Sequence, residues 1–188
     1  MDLGKWKVRV KKDQVTFTQT LQSPLGYAYV YEKTLKLDKH QPILILEHHI
    51  KNTGTKAIDT QVYDHDFFML DNRPIGPGMV VHLGFPPMPE EPFPPSATIA
   101  GNDIVFNQAT DRSPQGYLTG YTGQPGEYRI ALEDTAAHIG VEQTSTSPVA
   151  KFYFWSTPKT ICPEAYIAIH VLPHQTQTWT ISYRFRAE

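Results

Sequence analysis

An imidazole flanked by two aromatic rings lies in residues 62–70 of the sequence. If this segment is extended, its side chains alternate between two sides, and Tyr63, His65 and Phe67 share one of them. Aromatic rings stack on the apolar C–H faces of sugars, and an imidazole supplies a fixed polar partner for hydroxyl groups. The pattern therefore predicts a sugar-binding face. The alternative is a structural histidine bonded to the backbone.

The carboxylate of Glu164 is a second candidate group. It follows Pro163 and begins the apolar stretch 165–171. Trp155 ends an aromatic run over 152–155 that would line a pocket beside such a carboxylate. The alternatives are a solvated glutamate at the start of a strand and an aromatic run that belongs to the core.

Glu47 and His49 form a third candidate group, at the end of the apolar stretch 43–46. Period-two alternation places them on one face of a strand and places Leu46 and His48 on the other. Paired polar groups at the end of an apolar strand suggest a site at the rim or on the concave face of a sheet. The alternative is that both simply face the solvent.

A metal site built on histidines is a further alternative, because imidazole is a common ligand of first-row metals. The candidate ligands are His48, His49, His65, His170 and His174. The spacing is unfavourable, since no His-x-His pair occurs among them and adjacent histidines point to opposite faces of a strand. Cys162 is the single cysteine, which excludes an intrachain disulfide and a cysteine-built zinc site. Its apolar neighbours predict an inert, half-buried thiol.

Strands have to position these groups, because β-branched and aromatic residues recur along most of the chain. The predicted strands are 8–10, 15–18, 27–31, 43–46, 58–69, 128–132, 151–155, 165–171 and 178–185. Short turns rich in Gly, Asn and Pro separate them, which favours an all-β fold, an antiparallel β-sandwich. The best helical candidate, 133–139, is too short to set the architecture.

The length of the chain favours one domain, and a proline-rich segment is the one candidate boundary within it. A chain of 188 residues is within the usual size of a single compact domain, so we predict one domain over 1–188. Six of the eleven residues 85–95 are proline, which excludes a regular central strand. We expect a long surface loop there, of the kind that borders binding sites. The alternative is a linker between 1–84 and 96–188.

The charge balance excludes several classes of partner. Lys and Arg number 17 and Asp and Glu number 19, a formal net charge of −2. No electrostatic footprint for nucleic acid or an anionic membrane is present. No apolar run approaches the roughly 20 residues of a membrane span, and the first residues lack the apolar core of an export signal. We expect a soluble protein, with the cytoplasm favoured.

The segment around His65 resembles a known signature. Residues 64–70, Asp-His-Asp-Phe-Phe-Met-Leu, follow the turn Asn-Thr-Gly at 52–54. They are similar to the Asn-His-x-Tyr-Phe-Asn-Leu motif of the galactose mutarotase (aldose 1-epimerase) superfamily, in which a similar turn precedes the histidine. Asp64, Phe67 and Met69 depart from that motif.

The segment around Glu164 resembles the same family. Trp155 followed by Cys-Pro-Glu at 162–164 is similar to the segment that carries the family's catalytic glutamate. Residues 26–31 and the closing stretch 179–185 also fit. The resemblance extends loosely over 25–186 and is that of a short or N-terminally reduced member.

The resemblance implies a β-supersandwich with a site that opens and recloses a sugar ring. Glu164 would be the base on the anomeric hydroxyl, and His65 the acid on the ring oxygen. The substrate-binding residues would be Glu47, His49, Tyr63, Phe67 and Trp155. The partner would be a small-molecule sugar, with no metal and no organic cofactor required.

Differences from the family keep a second function open. The family's conserved arginine and additional histidine lie upstream of the motif, and their candidate counterparts are Arg9, Arg73 and His49. Because signature side chains differ and the family's domains are longer, the alternative is a non-catalytic carbohydrate-binding or accessory domain. A shortened sandwich would also expose strands, which a homodimer would protect.

Overall fold

A computed structural model describes residues 4–109 and 113–187. In this part of the chain the regular structure is β-strand in two antiparallel sheets, without a helix, which confirms the all-β prediction. No helix that could cross a membrane occurs in these residues. The strands are β1 Lys5–Val10, β2 Gln14–Gln22, β3 Ala28–Leu37, β4 Ile43–Asn52, β5 Ile58–Val62, β6 Met79–Leu83, β7 Met88–Pro89, β8 Ala97–Ala100, β9 Asp103–Phe106, β10 Gly116–Thr119, β11 Arg129–Asp134, β12 Ile139–Ser145, β13 Lys151–Ser156, β14 Ile161–Val171 and β15 Thr176–Ala187.

The chain divides into two compact units, and the first comprises 4–62 and 168–184. Its sheet has the strand order β1-β2-β3-β4-β15. Residue alternation gives this sheet one apolar side, where Leu46 and His48 of β4 lie beside Trp179 and Ile181 of β15, and all four are buried. Glu47 lies on the opposite side and is exposed, as the period-two pattern predicted.

The end of β4 is fixed by the side chain of Asn52, which is fully buried. Its Nδ2 donates to the carbonyl oxygens of Lys56 and Val171, and its Oδ1 accepts from the amide of Gly54. A Cβ at residue 54 would lie 2.5 Å from the carbonyl oxygen of Gly26. Only glycine allows the backbone to approach so closely.

The second unit comprises 63–109, 113–167 and 185–187. Its strands run in the orders β12-β11-β6-β9-β8 and β14-β13-β10-β7. Aromatic side chains of β13 pack in its core against the segment 85–95, where the rings of Phe85 and Phe152 lie 5.5 Å apart and those of Phe93 and Phe154 lie 5.7 Å apart. Each fully buried side chain of this size contributes about 1.5–3 kcal/mol relative to an exposed one.

The proline-rich segment 85–95 is a loop, as predicted. Its only strand among the described residues is β7, which pairs with the edge of β10, where a proline removes no ladder bond from a neighbour. Phe85 is buried and Phe93 contacts the core, so the loop is anchored at two points. Both of its ends belong to the second unit. The single domain over 1–188 stays a prediction.

Two local predictions are wrong. Residues 133–139 form no helix, because β11 and β12 pair as a hairpin across this segment. Asp134 stabilises the turn by accepting hydrogen bonds from the amides of Ala136 and Ala137. The strand predicted over 58–69 ends at Val62, and the following residues are extended without a ladder until Phe68 bridges to Ile161.

Candidate functional site

One face of β14 carries three polar side chains. Cys162, Glu164 and Tyr166 lie on the same side of the strand because side chains alternate, while the intervening Pro163 and Ala165 are buried on the other. In the neighbouring strand β13, Trp155 pairs with Cys162 and Tyr153 pairs with Glu164. Strand register therefore brings an indole beside the carboxylate and thiol, as predicted for Trp155.

The segment that carries His65 is held against the start of β14. The amide of Phe68 donates to the carbonyl of Ile161, and the amide of Ile161 donates back, each at 3.0 Å. The rings of His65 and Phe67 stack with centroids 4.4 Å apart, and Tyr63 lies 5.9 Å from His65. The three rings share one side, as the alternating pattern predicted.

His65 and Glu164 are in direct contact. The Nε2 atom of the imidazole lies 3.6 Å from Oε1 of the carboxylate. The two side chains differ in exposure, because His65 is 42% exposed and Glu164 is 7% exposed. A half-exposed imidazole thus lies beside a nearly buried carboxylate.

Two neighbours hold the carboxylate of Glu164. The hydroxyl of Tyr166 donates to Oε2 at 3.3 Å, and the thiol of Cys162 donates to Oε1 at 3.8 Å. Desolvation, followed by the charge of Glu164, raises the pKa of Tyr166 above its ordinary value and raises the pKa of Cys162 to about 12. Both neighbours are therefore protonated donors at neutral pH.

Cys162 also positions the imidazole, since its Sγ lies 3.0 Å from Nδ1 of His65. The thiol donates to Nδ1 when that nitrogen is bare. When Nδ1 carries a proton, it donates to Sγ while the thiol proton points to Glu164. Whether or not Nδ1 carries a proton, Nε2 faces the carboxylate of Glu164. The thiol is entirely buried rather than half-buried, and it is inert as a nucleophile because it stays protonated.

Aromatic rings surround the pair of His65 and Glu164. Trp155 presents its ring at an edge-on angle to both His65 and Phe67, at 6.1 and 5.8 Å. Tyr63 lies 4.3 Å from Tyr166. Phe67 is 60% exposed and Tyr63 is 37% exposed, so both offer ring surface to a ligand.

Glu47 and His49 lie in the first unit, on the polar side of β4. They line a shallow hollow with six neighbours, namely Glu32, Thr34, His48, Thr178, Trp179 and Thr180. The Nδ1 atom of His49 is buried and has no hydrogen-bond partner among the described residues. The role of this pair in substrate binding stays a prediction.

The proposed counterparts of the family's arginine have different surroundings. Arg73 pairs with Asp134 at 3.2 Å, and that carboxylate is almost completely buried, so the guanidinium holds a turn of the second unit. Arg9 lies on β1 and is exposed. A role of either in a sugar site stays a prediction.

Sequence reasoning missed two members of the site, Cys162 and Tyr166. The signal was present, because both lie two residues from Glu164 and strand alternation places such residues on one face. Among the described residues, His65, Cys162 and Glu164 are also the one set of three potential metal ligands whose donor atoms lie within 4.8 Å of one another. The histidine-built alternative is not assembled there, and His170 instead pairs with Asp59.

No protein-family model and no curated protein sequence matches the chain at a significant level. Solved structures do match. A candidate aldose 1-epimerase from Escherichia coli K12 superposes with a TM-score of 0.72 at 14% identity, over 99% of this chain and 70% of that one. A galactose mutarotase related enzyme from Lactobacillus acidophilus gives 0.69 at 13% identity, over 97% and 73%.

A third structure, an aldose epimerase homologue from C. elegans, gives a TM-score of 0.68 at 12% identity, over 97% of this chain and 69% of that one. At such identities the similarity concerns the backbone fold and carries no residue roles with it. The coverage extends over nearly the whole chain, in agreement with the all-β antiparallel architecture. The protein therefore has the galactose mutarotase-like fold.

Proposed function

We propose that this protein interconverts the anomers of a small sugar by acid–base opening of the sugar ring. The observation that carries the proposal is the 3.6 Å contact between His65 and Glu164 on a face lined by aromatic rings. The fold supports it, because the similar structures include a galactose mutarotase related enzyme.

The reaction requires two proton transfers that balance. Glu164 takes the proton of the anomeric hydroxyl while the imidazolium of His65 gives its Nε2 proton to the ring oxygen. The bond between the anomeric carbon and the ring oxygen breaks, which leaves an open-chain aldehyde. After rotation about the adjacent carbon–carbon bond, the hydroxyl formed from the ring oxygen attacks the other face of the carbonyl. Its proton returns to His65, and Glu164 protonates the new anomeric oxygen.

The geometry suits this chemistry because the anomeric carbon bears both reacting oxygen atoms. An acid and a base that serve the two oxygens have to lie close to each other, as His65 and Glu164 do. Positioned acid–base groups of this kind contribute typically about 10²- to 10⁴-fold to a rate. Cys162 and Tyr166 hold the pair, and the exposed ring of Phe67 offers a stacking surface for the sugar.

Polarimetry tests the proposal. Freshly dissolved α-glucose, α-galactose and their 6-phosphates are followed with and without the protein, and we expect faster relaxation for at least one sugar. Glu164→Gln preserves shape and should slow the catalysed relaxation by about 10²- to 10⁴-fold. The matched control is Glu91→Gln, a change at an exposed loop position that should keep the wild-type rate. Unchanged relaxation over the whole panel would exclude the epimerase function.

A non-catalytic carbohydrate-binding domain is the second candidate function, and the exposure of Tyr63 and Phe67 favours it. Such a domain binds glycans saturably without accelerating relaxation, and its binding survives Glu164→Gln. Calorimetric titration with the same sugars separates the two functions. Binding without relaxation supports the second, whereas relaxation that Glu164→Gln abolishes supports the first.

The predicted homodimer would use the free edge of β1. This strand pairs with β2 alone among the described strands, and its Trp6, Val8 and Val10 are exposed. An unpaired edge of this kind is a template for strand addition. Sedimentation equilibrium would show a dimer, and Val8→Lys should return it to the monomer.

A further inference from the structure

We infer that His65, Cys162 and Glu164 form a binding site for a divalent first-row transition-metal ion, and that Zn²⁺ is the ion whose geometry fits best. The inference concerns the same face as the proposed sugar site but does not depend on sugar chemistry.

The donor atoms of the three side chains all lie within 4.8 Å of one another, close to the spacing of ligands around a tetrahedral zinc ion. Zinc bonds to sulfur, nitrogen and oxygen at about 2.0–2.3 Å, so that ligands at tetrahedral angles lie about 3.4–3.6 Å apart. The Sγ atom of Cys162 lies 3.0 Å from Nδ1 of His65 and 3.8 Å from Oε1 of Glu164. The other imidazole nitrogen, Nε2, lies 3.6 Å from Oε1 of Glu164, so the ring has to rotate for a single nitrogen to share one ion with the thiol and the carboxylate.

The ligand types select the metal. A thiolate favours soft and borderline ions, imidazole suits zinc, copper, iron and nickel, and a set with only one carboxylate is poor for Mg²⁺ or Ca²⁺. As the metal–sulfur bond forms, the thiol proton of Cys162 passes to solvent. Three protein ligands leave the fourth position for water, which can enter beside the half-exposed ring of His65.

The three side chains are held in place before any ion binds. Cys162 and Glu164 are both on β14, in its part Ile161 to Tyr166 that pairs with β13. The segment of His65 is fixed by the two hydrogen bonds between Phe68 and Ile161. Tyr166 holds the second oxygen of Glu164, as outer-sphere partners do in metal sites. A preorganised set of this kind binds without a large rearrangement.

Metal and sugar would exclude each other, because the ion occupies the carboxylate and the imidazole of the proposed acid–base pair. If the protein is an epimerase, equimolar Zn²⁺ should stop the reaction and a chelator should restore it. This consequence rests on the proposed function. The binding of the ion itself does not, and it is measured separately.

Cobalt titration tests the site. The metal-depleted protein is titrated with Co²⁺, and one equivalent should produce a thiolate-to-cobalt charge-transfer band together with the intense visible bands of tetrahedral Co²⁺. Zn²⁺ should remove both. Cys162→Ser should abolish the charge-transfer band, and His65→Asn or Glu164→Gln should weaken binding by at least about 10- to 100-fold. His170→Asn, an exposed histidine elsewhere, is the control and should bind as the wild type does.

Circular dichroism establishes that each variant is folded. X-ray absorption at the zinc edge of the wild-type protein provides a measurement free of substitutions, and it should show one sulfur ligand with nitrogen and oxygen ligands. Absence of a charge-transfer band in the wild type, a sulfur-free zinc environment, or equal loss of binding in His170→Asn would each overturn the inference. If the wild-type protein accelerates mutarotation but binds no metal, only the metal inference fails. If it binds the metal but does not accelerate mutarotation, only the proposed function fails.

Discussion

Two histidines of this protein lie among aromatic rings, yet their surroundings differ in burial and in the groups that each imidazole contacts. His48 is 4% exposed, stacks on Trp179 at 4.7 Å and contacts the hydroxyl of Tyr31 at 2.7 Å. His65 is 42% exposed and contacts the carboxylate of Glu164. Stacking on a ring is common to both, since His65 stacks on Phe67.

The two histidines differ in the groups, other than aromatic rings, that contact the imidazole. Around His48 the rings of Tyr31 and Trp179 fill space, the hydroxyl of Tyr31 contacts Nδ1, and the imidazole is almost completely buried. Around His65 a carboxylate and a thiol are added, and one side of the ring stays open. An aromatic setting alone is therefore no sign of a site. A charged partner together with exposure is the more informative combination.

The largest expected effect is on the rate of mutarotation, which should depend on His65 and not on His48. His65→Asn removes the proton donor of the proposed reaction and should lower mutarotation by about 10²- to 10⁴-fold. The free energy of unfolding should change little, because the ring is half-exposed. Polarimetry and urea denaturation measure the two quantities. His170→Asn serves as the control, and a His65 variant with full activity would contradict the assigned role.

The next effect concerns the thiol beside His65. With its pKa raised to about 12, Cys162 has a thiolate fraction at pH 8 far below that of an ordinary thiol, and we expect alkylation roughly 10²- to 10³-fold slower than in the unfolded chain. Mass spectrometry of iodoacetamide labelling, with and without urea, measures the ratio. Rapid labelling of the native protein would show a reactive cysteine instead.

The same pKa gives a pH dependence with a definite sign. In the unfolded chain the thiol loses its proton near its ordinary pKa of about 8.5, whereas the folded chain keeps it up to about 12. Between these values the folded state binds more protons, so this group makes the free energy of unfolding fall as pH rises. Cys162→Ser should flatten that part of the stability profile.

Residue patterns predicted much of this arrangement. Alternation placed Tyr63, His65 and Phe67 on one side because every second side chain of an extended backbone points the same way, and the structure confirms it. The same rule would have placed Cys162 and Tyr166 with Glu164, but the apolar neighbours of Cys162 led us to interpret it only as an inert thiol. The contact with Nδ1 of His65 depends on a bridge between distant segments, which no local pattern shows.

Local propensity misled the interpretation in one place. Residues 133–139 contain two alanines between polar residues, a composition that suits a helix. The ladder between β11 and β12 and the capping of the turn by Asp134 outweigh that preference. The four-residue strands β8, β9 and β10 were not predicted, because stretches this short are stabilised by their sheet neighbours rather than by their own sequence.

The third effect tests the structural role of His48. His48→Ala removes a buried ring that stacks on Trp179 and should lower the free energy of unfolding by about 2–4 kcal/mol. Mutarotation per folded molecule should be unchanged. Glu47→Ala, at the exposed neighbouring position, should shift stability by less than about 0.5 kcal/mol. A His48 variant as stable as the wild type would remove the contrast between the two clusters.

The smallest effect isolates the hydroxyl of Tyr31. Tyr31→Phe keeps the ring but removes its 2.7 Å contact with Nδ1 of His48, and we expect a loss of about 0.5–1.5 kcal/mol in the free energy of unfolding. Tyr29→Phe is the matched control on the same strand, since its hydroxyl bonds to Gln19 at 2.9 Å, a partly exposed residue that water can satisfy. Equal losses in the two variants would mean that burial of His48 adds nothing to the strength of its hydrogen bond.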